Sequence, residues 1–211
     1  MRPHMSPLEQ SLIAFTLAAA LLTVTPGLDT ALVLRTAAAE GPRRAFAAAF
    51  GICLGCLAWG LLVAVGLGVL LEASELAYRI LKWIGAAYLL YLGGRLILAP
   101  RGEAEGAGAE APPKANWLLR GLLTNLLNPK VGAFYVSFLP QFIPAGADVP
   151  STTLVLAAIH SGLGFVWFGL LIAATRPLAA ILRRPRLILG LDRATGAVLV
   201  FFGLRLAFSR Q

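Results

Sequence analysis

Six apolar stretches account for most of the chain: about Leu8 to Ala39, Phe46 to Leu71, Leu76 to Ala99, Trp117 to Ile143, Ser151 to Ala174 and Leu187 to Phe208. About 20 apolar residues wound as a helix cross the roughly 30 Å of hydrocarbon in a bilayer. Inside that medium a backbone amide finds its partner only within a helix or a closed barrel. The pattern predicts an all-α, polytopic membrane protein with six transmembrane helices. Of 211 residues, 58% are hydrophobic and 13% charged, and the charged ones collect between the apolar runs. The net charge of +8 therefore needs no nucleic acid to explain it, because loop arginines that fix membrane orientation produce the same excess.

Two of the six runs are interrupted. Written as one helix, Leu8 to Ala39 would be well over 40 Å long at 1.5 Å per residue, and Thr25-Pro26-Gly27-Leu28-Asp29 breaks it. The fourth run is broken at Asn125-Leu126-Leu127-Asn128-Pro129-Lys130. Proline removes a backbone donor and clashes with the preceding turn, so each run must end and restart there. Asp29 stands where the N-cap of the restarted first helix belongs, and Asn128 does so for the fourth, with Pro129 at the favoured first helical position. The start of a half-helix offers unpaired amide donors and a positive dipole end, which together attract a carboxylate.

The breaks also carry opposite charges. An ammonium or carboxylate within a membrane span costs about 3 kcal/mol or more on insertion scales and is seldom found without a role or a partner. Lys130 sits at the dipole end that favours anions, so it requires an anionic neighbour, and Asp29 is the candidate. Either the two pair directly as a static bridge, or a bound zwitterion separates them, its carboxylate toward Lys130 and its ammonium toward Asp29. An amino acid has that charge layout. Asp29 is also the first candidate for carrying a proton, since burial and a nearby cation shift a carboxylate in opposite senses. His160, in the fifth run, is the second, unless it is only a hydrogen-bonded interface residue. Asn125, Gln141 and Thr25 are candidate site residues too, with local hydrogen bonding to backbone opened by the prolines as their other reading.

The halves of the chain match. Tyr91-Leu92-Gly93-Gly94-Arg95-Leu96 closes the third run and Phe201-Phe202-Gly203-Leu204-Arg205-Leu206 the sixth, and each half begins with a broken run. Three spans per half make the two copies opposite in the membrane. Inverted repeats with discontinuous helices are the architecture of secondary transporters, with the site between the repeats. Residues 1–99 are the first repeat, 100–116 a Gly-, Ala-, Glu- and Pro-rich cytoplasmic linker without core-forming residues, and 117–211 the second repeat.

Connections one-two, three-four and five-six hold twelve Lys and Arg against five on the other side (Arg2, Arg79, Lys82, Arg205 and Arg210). The positive-inside rule then puts both termini outside the cytoplasm. The segment Met1 to Met5 is too short for the basic and apolar regions of a signal peptide, so the first helix is expected to serve as the targeting signal. Cys53 and Cys56 lie three apart on one helix, where they pack as small residues. Gly51 and Gly55 form a small-residue face that serves either contacts within the chain or a homodimer.

Thr25-Pro26-Gly27-Leu28-Asp29, the run Leu81-Lys82-Trp83-Ile84-Gly85-Ala86-Ala87-Tyr88-Leu89-Leu90-Tyr91-Leu92-Gly93, and Asn125 to Lys130 with Pro140-Gln141-Phe142 resemble the LysE/RhtB amino-acid exporters over nearly the whole chain. The likeness is to the branch that exports homoserine, homoserine lactone and threonine. It implies a bacterial inner-membrane protein that exports small neutral amino acids or derivatives, driven by the proton motive force, with no metal or other cofactor. Leu28 departs from the Pro-Gly-Pro turn of many relatives, which makes the first break less rigid. Two other classes compete. A transmembrane redox carrier would use Cys53 and Cys56, but cysteines at that spacing on a continuous helix are poorly placed for a relaxed disulfide. A cation exporter would need an acidic ring or a His/Cys cluster. No nucleophile-base set or paired carboxylates suggest an enzyme.

Overall fold

The computed structural model describes residues 5–73, 75–98, 116–174 and 184–208, and all regular structure among them is helical. The first run is two helices, α1 (Pro7–Val24) and α2 (Leu28–Ala39), parted at Thr25-Pro26-Gly27. Ser6 starts α1 with a capping box: its hydroxyl accepts from Glu9 N at 3.2 Å, and Glu9 Oε2 accepts from Ser6 N at 2.7 Å. Gly41, at φ 88°, turns the chain into α3 (Pro42–Ala73), and α4 (Glu75–Leu98) follows. The fourth run is α5 (Trp117–Leu126), then α6 (Pro129–Ala133), a π turn (Phe134–Phe138) and a 3-10 turn (Leu139–Phe142). Asp148 caps α7 (Val149–Ala173), and α8 (Pro185–Phe208) ends the described chain.

Residues 100–115 of the expected linker, the first four residues and several of the arginines that set the orientation lie outside the described residues. Asn116, at the end of that stretch, caps α5 by accepting from Leu119 N at 3.1 Å. Within the described chain, three helices are long and apolar enough to cross a membrane: Pro7–Val24, Pro42–Gly66 and Val149–Ala173. Large apolar side chains on their outer faces, such as Leu17, Leu61, Leu62 and Val166, are exposed, as a hydrocarbon solvent allows. Trp83 and Tyr91 are exposed on α4.

The core forms where α3 packs on α7 and α5, and where α4 packs on α8. Aromatic rings fill its centre: Phe15, Phe134, Phe138, Phe142 and Phe202 touch in sequence at centroid distances between 4.4 and 5.8 Å. The contact of α3 with α5 is backbone on backbone. A Cβ on Gly51 would lie 2.0 Å from Leu118 O, and one on Gly121 would lie 2.0 Å from Ala48 O, so only glycine fits at either position. The small-residue face of α3 is thus used within the chain, which withdraws it as support for a homodimer.

Two contacts recur between the halves. Cys53 Sγ donates to Ser161 O (3.5 Å) while Ser161 Oγ donates to Cys53 O (3.2 Å). On α4 and α8, a Cβ on Gly93 would meet Val200 Cγ2 at 2.8 Å, and one on Gly203 would meet Leu90 Cγ at 3.0 Å. One shift of register exchanges Gly93 with Gly203 and Leu90 with Val200, the same register in which Tyr91 to Leu96 matches Phe201 to Leu206.

Candidate functional site

At the first break, α1 ends with Thr25 as its C-cap, and Gly27 is the N-cap of α2. Gly27 is extended (φ −159°, ψ −168°) and has no side chain to cap with. Asp29 is therefore not the N-cap that its position suggests; it lies two residues into α2. Its carboxylate accepts instead from Asn125 Nδ2 at 2.9 Å and Asn128 Nδ2 at 3.4 Å, both at the second break. The reason is competition: a cap bond would have satisfied one amide, whereas two amide side chains from α5 and the second break satisfy the carboxylate in a place water does not reach freely.

The second break is as expected. Asn128 is the N-cap of α6, its Oδ1 accepting from Lys130 N at 3.1 Å, and Pro129 holds the first helical position. Lys130 sends its ammonium back to the first break, donating to Leu22 O at 3.2 Å and Thr25 O at 3.1 Å. Those carbonyls belong to the last turn and the cap of α1, the negative end of its dipole, where a cation is favoured by about 0.3–1 kcal/mol and up to about 2 when partly buried. Each break is thus braced by the charged or amide side chains of the other.

Asp29 and Lys130 line one cavity of about 50 Å³, together with Thr25, Asn128 and His160. That exceeds the roughly 10–15 Å³ needed to admit a water molecule. Ile52, Val131 and Phe168 give it an apolar wall. His160 is buried on α7, its Nδ1 3.1 Å from the hydroxyl of Tyr135. Thr25 lines the cavity and hydrogen-bonds Leu21 O (2.7 Å) and the hydroxyl of Thr195 on α8 (2.5 Å), while Leu22 O, the carbonyl that Pro26 leaves without its i+4 N–H, is taken by Lys130 instead.

Asn125 is fully buried and reaches the cavity through Asp29 and Cys56, its Nδ2 donating to both. Gly55 makes room for it: a Cβ there would stand 2.5 Å from Asn125 Oδ1. Gln141 is not brought to the cavity. Its Nε2 donates to Ser137 O at 2.9 Å, closing the turn at the end of the π segment. Cys53 and Cys56 are separate, buried thiols, both on the cavity.

Two residues escape a reading of the sequence alone. Tyr135 is fully buried against His160, in a Phe-Tyr-Val-Ser-Phe run that looks like plain core. Asp192 on α8 is also fully buried, a second carboxylate deep in an apolar run. The signal for Asp192 is its place in the run from Leu187 to Phe208, three residues before Thr195.

The family model for LysE type translocators matches residues 20–210. An uncharacterized membrane protein of Pseudomonas aeruginosa is 37% identical over 200 residues, 92% of this chain and 93% of that one. A leucine efflux protein of Klebsiella pneumoniae is 30% identical over 198 residues, covering 92% and 93%. A homoserine/homoserine lactone efflux protein of Salmonella typhimurium is 30% identical over 198 residues, covering 94% and 96%. No solved structure matches the chain. A redox role for the two cysteines gains nothing from these relatives or from the thiols' separate positions. Broken apolar helices, an acid and a base on one buried cavity and a match over nearly the full length agree: the chain belongs to the LysE type translocator family, membrane efflux transporters of amino acids and not enzymes.

Proposed function

We propose that this chain is a proton-coupled secondary exporter of small neutral amino acids or their derivatives, working as six spans in two inverted repeats with both termini outside the cytoplasm. The observation that carries the reading is the crossed bracing at the breaks. Asp29 and Lys130 occupy the same place, two residues past the N-cap of their half-helices, and reach one cavity from opposite halves. The reciprocal Cys53–Ser161 bonds and the exchanged Gly93–Val200 and Gly203–Leu90 contacts support a pseudo-two-fold axis between the halves. Helices α4 and α8, at 24 residues each, are about 36 Å long and reach across the hydrocarbon despite their charges.

Substrate binding works by exchange. The α-ammonium takes the Asp29 carboxylate and competes with Asn125 and Asn128. The α-carboxylate takes the Lys130 ammonium and competes with the carbonyls of Leu22 and Thr25. A ligand that binds both groups releases both braces, and this differential contact is what a ligand needs to shift a conformational equilibrium. Alternating access then rocks one repeat against the other around the site. Asp29, with His160 as the second candidate, carries the returning proton. The names of the leucine and homoserine efflux relatives support a neutral amino acid as the substrate, and Ile52 and Phe168 offer it an apolar wall.

The test is efflux from proteoliposomes under an imposed pH gradient, screened over neutral amino acids. Asp29→Asn and Lys130→Ala should each abolish export while the protein still reaches the membrane. Full export by both variants would refute the site.

A further inference from the structure

A second cavity also borders the second break. It measures about 320 Å³, against about 50 Å³ for the one that Asp29 and Lys130 share, and so reaches the range of small-molecule sites, about 300–1,000 Å³. Asn128 lines both. The two cavities follow one another along the same elements. Helix α3 gives Ile52, Cys53 and Cys56 to the first and Trp59, about one turn on, to the second. The broken helix gives Lys130 and Val131 to the first and Gly132, Val136 and Ser137 to the second. Its π turn, a rare winding that recurs at functional sites, carries Val136 and Ser137. Helix α4 forms the other wall: Tyr88 Oη donates to Pro129 O at 3.3 Å, and a Cβ on Gly85 would stand 2.7 Å from Ser137 Oγ.

Asn128, at the boundary, carries no charge and offers both senses of hydrogen bond, a nitrogen that donates and an oxygen that accepts. Its Nδ2 reaches Asp29 Oδ1 at 3.4 Å, against 2.9 Å for the bond from Asn125, so it is the looser hold on that carboxylate. A ligand ammonium arriving at Asp29 displaces it first. The freed amide takes either end of a zwitterion without the pull of a fixed charge, which is what passing a ligand onward requires. Trp59 supplies a second polar group. Its indole nitrogen only donates, and it is buried with no acceptor among the described residues. Gly132 makes room for the ring, since a Cβ there would lie 3.2 Å from Cζ2 and Cη2. A buried donor left unmet is costly, and a carboxylate brought into this cavity is an acceptor for it.

We propose that the second cavity is the outward station of the transport path, where the exported amino acid, handed past Asn128, is held with its carboxylate toward Trp59 before release. This rests on the reading of the first cavity as the amino-acid site and of the termini as outside the cytoplasm. In that orientation the Pro42 end of α3 is cytoplasmic, so the step from Cys56 to Trp59 runs outward. A ligand leaving Asp29 and Lys130 for the outside meets this cavity next. Ile84 and Leu127 on its lining are exposed, but a lipid acyl chain has no acceptor to offer the indole, and the amino acid does.

The probe is the neutral amino acid that the parent protein exports fastest from proteoliposomes. Val136→Trp fills the second cavity from the π turn. Calorimetry should show parent-like binding of that amino acid, at the first cavity, while export is lost. Parent-like export overturns the proposal. Val136→Cys decides the matter where tryptophan disrupts the fold. In right-side-out membrane vesicles an impermeant methanethiosulfonate reagent should modify it faster than it modifies the parent, whose Cys53 and Cys56 are buried, and the amino acid should slow that reaction. A rate no higher than the parent's, the result for a cavity filled by a lipid chain, overturns the proposal. So does a reaction that the amino acid leaves unchanged, the result for a crevice holding only water. Lys130→Met tests the underlying site by itself. If it still binds the amino acid, the reading of the first cavity fails; if it loses binding while Val136→Trp exports like the parent, the outward station alone fails.

Discussion

The two helix breaks do the same thing by different local chemistry. At Pro26-Gly27 the restart has no side-chain cap, an extended glycine and a leucine at the first helical position. At Asn128-Pro129 the restart is capped by Asn128 and begins with proline. The second break is organised by its own residues, whereas the first is organised by side chains from the second: Lys130 on its carbonyls, Asn125 and Asn128 on its carboxylate. A break that depends on its partner can respond when a ligand takes that partner away. On the proposed mechanism, the first break is the element that moves and the second the frame.

If this asymmetry holds, Lys130→Met should be worse for the fold than Asp29→Asn although both abolish export. Losing the ammonium uncaps α1 and should cost about 1–2 kcal/mol. The asparagine keeps an oxygen for Asn125 and Asn128 and sheds a buried charge, so its melting temperature in detergent should stay closer to the parent. The reverse order would mean that the first break is not held by Lys130.

Asn128→Ala comes next. It removes the cap of the frame and one donor to Asp29, and thermal melts should show a loss of about 1–2 kcal/mol. The smallest effect is a gain. Leu28→Pro places proline at the favoured first position of α2, after an extended Gly27 that tolerates a following proline. It should stabilise by about 0.4–1 kcal/mol and, by stiffening the element that moves, slow export. Faster export would reverse the assignment of frame and moving part.

Much of this was legible in the residues. The apolar runs, both prolines and the Asn128 cap depend on local rules, and the structure follows them. Asp29 and Lys130 line one cavity, in keeping with a buried charge in a membrane span having few places to go. What misled was competition over distance. Asp29 looks like an N-cap, but amides nearly a hundred residues away in the chain claim its oxygens. Gln141 looks available until the π turn presents Ser137 O to it. Tyr135 was invisible for the same reason: nothing in Phe-Tyr-Val-Ser-Phe announces a change of helical register, and only that change brings a hydroxyl to His160.

The central claim is that one dipolar ligand bridges the two breaks, and ligand dissection tests it most directly. Binding of a transported amino acid, its amide and its N-acetyl derivative would be measured by calorimetry to the parent protein, Asp29→Asn and Lys130→Met. Removing the carboxylate should weaken binding to the parent and to Asp29→Asn but cost nothing further in Lys130→Met, while blocking the ammonium should show the mirror pattern with Asp29→Asn. Losses that simply add, with each ligand change costing the same in all three proteins, would contradict the account.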